Sequence, residues 1–92
     1  MNKAEKFKTG DLVISTAGRD SGRLMLVVRA EENAVFVCDG GERPLERPKR
    51  KNPSHLRLAG DGQDIMKATV GNKSLKRALK AYESGTERSA NL

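Results

Sequence analysis

The sequence predicts a small, mostly β domain: an antiparallel barrel followed by a helical tail. Three observations carry that expectation. Up to position 59 the apolar residues fall in short runs rich in β-branched side chains, each broken by Gly, Asp, Asn or Pro. The connections between runs are short, which makes neighbouring strands antiparallel. Five such runs suit a closed or nearly closed barrel, because closure removes exposed edges from so small a sheet.

Gly10 opens the first strand, "DLVIS" at 11–15. Leu12 and Ile14 alternate there with Val13 and Ser15, so both faces have an apolar claim. The second strand is longer, "RLMLVVRA" at 23–30. "EEN" at 31–33 is a polar turn in which Asn33 tolerates a left-handed backbone. "AVFVCD" at 34–39 is the third strand, ended by Asp39, Gly40 and Gly41. The fourth is brief, because Pro44 and Pro48 flank "LER" and proline cannot donate to a ladder. "SHLRLA" at 54–59 supplies the fifth, with His55 and Arg57 on one face. Val13, Leu26, Val28, Val35, Val37 and Leu56 are the expected core.

Residues 1–59 therefore make the barrel unit and 60–72 a linker with a short helix. "GDGQD" is a polar hinge, and Asp64 is placed to cap a helix through "IMKATV" that stops at Gly71. The clearest periodicity lies in 73–85, where Leu75, Ala78, Leu79 and Tyr82 fall at i, i+3, i+4 and i+7. Asn72 fits the N-cap and Gly85 the C-terminal stop. Lys73, Lys76, Arg77 and Lys80 take the other faces. So short a helix is marginal alone in water, so its apolar face must cover the barrel or a partner. Residues 86–92 read as a frayed tail.

Composition narrows the function. Eighteen Lys and Arg against twelve Asp and Glu give a net charge of +6, which favours polyanionic partners. The excess is local: Arg43, Arg47, Lys49, Arg50, Lys51 and Arg57 stand against Glu46 alone in "RPLERPKRKNPSHLR". Cys38 is the single cysteine, which rules out an intrachain disulfide and suits a small buried hydrophobe in a reducing compartment. No CxxC or His-rich cluster points to a metal, and no phosphate-loop, HExxH or GxSxG motif points to catalysis. A non-enzymatic protein without cofactor or metal is expected. The basic N-terminal residues lack the apolar stretch of a secretory signal, and the run 24–28 is far too short to span a membrane, so a cytoplasmic protein without a membrane partner is expected.

The loop "AGRDSGR" joins the first two strands. Gly18 and Gly22 supply the positive φ a tight connection needs, and they let backbone approach a ligand. Arg19 and Arg23 add fork-shaped donors, and Asp20 suits a bond to loop amides or to an arginine. With its flanks, "GDLVISTAGRDSGRLMLVV" resembles a KOW motif through Gly10, Val13, Gly18, Gly22, Val27 and Val28. The whole chain is similar to small bacterial KOW-domain RNA-binding proteins related to ribosomal proteins. That resemblance implies an SH3-like barrel whose loops and adjoining strand edges carry nucleic acid. The KOW pattern itself extends over the first two-thirds of the chain and says nothing of the helical tail.

"RPKRKNP" extends the argument, because Pro48 and Pro53 hold its cations in an extended strip able to follow a phosphate backbone. Phe7, Phe36 and Tyr82 are the only rings, which disfavours single-strand binding by base stacking. The expected function is recognition of ribosomal or other structured RNA through phosphate contacts. The expected contacts are Arg19, Arg23, Arg43, Arg47, Lys49, Arg50, Lys51, His55 and Arg57, with Gly18, Asp20 and Gly22 shaping the loop. A second class stays open: a protein-interaction module that docks on ribosomal or transcription proteins.

Overall fold

The structure, a computed structural model, describes residues 6–85. Five strands form one antiparallel sheet: β1 (Asp11–Ser15), β2 (Leu24–Ala30), β3 (Val35–Cys38), β4 (Lys49–Lys51) and β5 (Leu56–Asp61). A 3₁₀ turn at Pro53–His55 leads into β5, and helices α1 (Gln63–Ala68) and α2 (Asn72–Ser84) follow. The strand order is β4-β3-β2-β1-β5, so the chain meanders through four strands and returns to place β5 beside β1. The sheet does not close into the expected barrel, and β4 and β5 are its two edges.

Alternation along β1 and β2 sends successive side chains to opposite faces, and both faces are apolar. Leu12, Leu24, Leu26 and Cys38 face Ile65 of α1 and Leu75 and Leu79 of α2. Val13, Met25, Val27, Val35, Val37 and Leu56 make a second cluster, with Phe7 and Ala30 at its margin. Of the expected core, only Val28 is not fully buried. The register between β2 and β3 shifts between Val27 and Arg29, and this irregularity leaves Val28 half-buried at the margin of the helix-side cluster.

The expected tail helix forms and its apolar face has a cover. Leu75 and Leu79 are buried on the sheet, at about 1.5–3 kcal/mol each for a leucine taken from water. Gly85 ends α2 in the left-handed conformation, its amide donating to Ala81 and Tyr82 carbonyls. Its start differs from expectation. Gly71 occupies the cap position, and the Ser74 hydroxyl accepts from the Val70 and Gly71 amides. Asn72 is instead the first helical residue, and its side chain turns away to the β3–β4 loop. Likewise Asp64 lies within the first turn of α1, while Asp61 accepts the Gln63 amide and Thr69 ends the helix two residues before Gly71.

The fourth strand also moves. Residues 44–47 form a turn closed by Arg47 N–H to Pro44 C=O, and the ladder begins after Pro48. The reason is Asn72, whose Oδ1 accepts the Leu45 amide at 2.7 Å and whose Nδ2 donates to Glu46 at 2.8 Å. The fifth strand keeps its expected length but lies two residues later, taking Gly60 and Asp61 out of the linker; His55 belongs to the 3₁₀ turn. The tail at 86–92 lies outside the described residues. No described helix is long and apolar enough to cross a membrane.

Candidate nucleic-acid interface

The β1–β2 loop is held from within. Gly18 and Gly22 take φ of 88° and 87°, as the tight connection requires. The Ser21, Gly22 and Arg23 amides donate to Gly18, Ser15 and Asp20 carbonyls, so they close the loop and do not face a ligand. Asp20 turns inward. Its Oδ1 lies 2.9 Å from the Ser15 hydroxyl and 3.1 Å from the Lys51 ammonium, which also donates to the Ala17 carbonyl at 3.1 Å.

Lys51 is therefore a buried tie, 8 % exposed, between β4 and the loop after β1. Burial pushes the Asp20 carboxyl up, but the bonds from Lys51 and Ser15 outweigh it and hold the group below the usual carboxylate range.

Arg23 turns outward. It meets Asp39 Oδ2 at 2.8 Å and Glu42 Oε1 at 3.3 Å, and so joins the β1–β2 loop to the β3–β4 loop. Burial again pushes Asp39 up. The Arg23 bond and the Gly41 and Arg43 amides more than offset it, leaving the carboxyl low.

Between the two loops lies a cleft of about 390 Å³ lined by Arg19, Asp20, Arg23, Glu42 and Arg43. Two buried polar atoms of its lining residues, Asp20 Oδ2 and Arg43 Nε, have no hydrogen-bond partner among the described residues. The cleft offers guanidinium donors to an anion.

The other expected contacts spread from this cleft. Arg19, Arg47, Arg50 and Arg57 are exposed, while Lys49 and Arg43 are half-buried, and none forms an ion pair among the described residues. Lys49 and Lys51 leave β4 on the face of Val37 and Val35, and Arg50 leaves on the opposite face beside Phe36. Arg57 pairs with Ile14 on β5, at the far edge of the sheet from β4. His55 is exposed, and its carbonyl accepts the Thr16 amide. The structure thus gathers Arg19, Arg23 and Arg43, sets Lys49 and Arg50 on one edge, and places Arg57 apart.

Sequence reading passed over Arg29, whose guanidinium stands 5.5 Å from the Phe36 ring centre on the Arg50 side of the sheet. The β2–β3 irregularity that brings it there has no local sequence signal. Cys38 is buried, and burial, with Asp39 beside it, pushes its thiol up to about 11. It is a neutral core side chain. The described residues hold no cluster of three or more metal-ligating side chains. The chain matches no protein-family model, and a search of curated proteins finds no significant relative.

Proposed function

We propose that this chain is a non-catalytic RNA-binding protein that holds ribosomal or other structured RNA through its phosphates, on an SH3-like scaffold of the KOW type. The carrying observation is the set of cations with no acidic partner among the described residues, Arg19, Arg43, Arg47, Lys49 and Arg50, grouped on the loop cleft and the β4 edge. Unpaired guanidinium and ammonium groups release counterions when they meet a phosphate backbone, whereas cations already paired gain less. The return of β5 to lie beside β1 supports the SH3-like reading, here with the sheet left open. Phe36 is half-buried, and no ring lines the cleft among the described residues, which favours shape and phosphate recognition over base stacking.

The test is titration of a folded RNA at several salt concentrations with wild type and with an Arg19→Ala, Lys49→Ala, Arg50→Ala variant. Wild-type affinity should fall steeply with salt, and the variant should lose about one unit of that log–log slope per lost contact. Wild type that fails to retain folded RNA even at low salt would overturn the reading.

A further inference from the structure

We infer that the solvent face of α2 is a second phosphate-binding strip that continues the loop cleft, so that one structured RNA spans both. The inference rests on the RNA-binding reading above. Lys73, Lys76, Arg77 and Lys80 stand at i, i+3, i+4 and i+7, all exposed, on the side of the helix opposite Leu75 and Leu79. Glu83 is the only acid of the helix, and none of the four cations forms an ion pair among the described residues. The stripe runs for about 10 Å, two helical turns, as a row of one sign.

Its position links it to the cleft. The β3–β4 loop lies on the first turns of α2, so closely that a Cβ on Gly40 would overlap the Asn72 carbonyl. A Cβ added to Gly41 would stand in van der Waals contact with the Lys76 side chain. Gly41 in turn donates to Asp39, which pairs with Arg23 at the cleft. Asn72 fixes the same junction through Leu45 and Glu46. The helix is therefore seated beside the loop that walls the cleft, and its cations extend the positive surface outward from it.

An anionic membrane would also attract a basic stripe, but a surface-lying helix needs a free apolar face to insert. Leu75 is 0 % and Leu79 4 % exposed, so α2 has already given that face to the sheet. RNA phosphates need only the charged side.

The experiment compares wild type with a Lys73→Gln, Lys76→Gln, Arg77→Gln, Lys80→Gln variant in salt titrations against the same folded RNA. The variant's fold is checked by circular dichroism and urea midpoint. The expected result is a log–log salt slope smaller by about 3 to 4 units, with the cleft arginines untouched. A second measurement needs no variant: with RNA bound to wild type, Lys73, Lys76 and Lys80 should resist acetylation, while Lys67 on α1 serves as the exposed reference. If wild type binds RNA but the variant keeps its slope, or the stripe lysines acetylate as fast as Lys67, this inference fails and the RNA-binding reading stands. Wild type that does not bind folded RNA removes both. Loss of binding to phosphatidylserine vesicles in the variant, with RNA binding unchanged, would assign the stripe to lipid and overturn the inference.

Discussion

Two ion pairs hang from the same short loop, and they do different work. Asp20 and Lys51 meet with side chains 6 % and 8 % exposed, whereas Arg23 and Asp39 meet at 40 % and 11 %. The first lies under the loop and ties β4 to the end of β1 across the open sheet. The second lies at the rim of a cleft, where water screens it and Glu42 shares the guanidinium. The density of cations in a sequence therefore does not count the cations available to a ligand. Lys51 belongs to the densest basic run of the chain and is the one member that is buried.

The sharpest way to break this contrast is Lys51→Met. It leaves Asp20 buried without its cation and should cost about 3 kcal/mol in urea unfolding, the lower end for breaking a buried pair because only one loop covers it. Replacing both partners, Lys51→Met with Asp20→Leu, should recover much of that loss, since no uncompensated charge remains. If the single and double variants lose the same amount, the pair is not the tie described here.

Acid provides the next largest effect. Asp20 and Asp39 both titrate below the usual value in the folded state, so the unfolded chain takes up protons first as the pH falls. Their contribution is complete above the unfolded value near 3.9 and is lost as the pH drops from there through the lowered folded values. Urea midpoints should hold between about pH 5 and 7, with respect to these groups, and fall below about pH 4. The fall should be shallower in the Lys51→Met background, where the Asp20 carboxyl is no longer held low.

The smallest effect is expected at the outer pair. Arg23→Gln should cost less than about 1 kcal/mol, because Asp39 keeps the Gly41 and Arg43 amides and the pair is partly solvated. A loss equal to that of Lys51→Met would erase the distinction between the two pairs.

Much of the fold was legible where a rule acts locally. The runs around β1, β2 and β3 carry β-branched residues between turn formers, and the α2 period shows in four apolar positions. The positive φ of Gly18 and Gly22 was also readable, since few other residues close such a loop. What stayed hidden depends on residues distant in sequence. The 44–47 turn is set by Asn72, 27 positions after Leu45, and the proline spacing alone suggested a strand there. A count of strands suggests barrel closure, whereas the actual edges depend on which strands pair.

The candidate site divides in the same way. Sequence could supply Arg19, Arg23 and Arg43 as cations, but their convergence on one cleft comes from two loops meeting. Nothing local to "KRK" says that Lys51 points inward and Arg50 outward, because a three-residue strand takes its facing from its register with β3. The α2 stripe was the opposite case. Its basic residues repeat at helical spacing, so the stripe is legible in the sequence beside the apolar face.

The seating of α2 against the sheet has a consequence for how the protein is made. During synthesis β1, β2 and β3 leave the ribosome before β5, which pairs with β1, and before the helices that cover Leu12, Leu26 and Cys38. A nascent chain ending near residue 59 therefore presents one apolar sheet face to water, however well its strands have paired. The core is completed from the C-terminal side, and the chain gains its cooperative stability only when residues 75 and 79 arrive to cover that face.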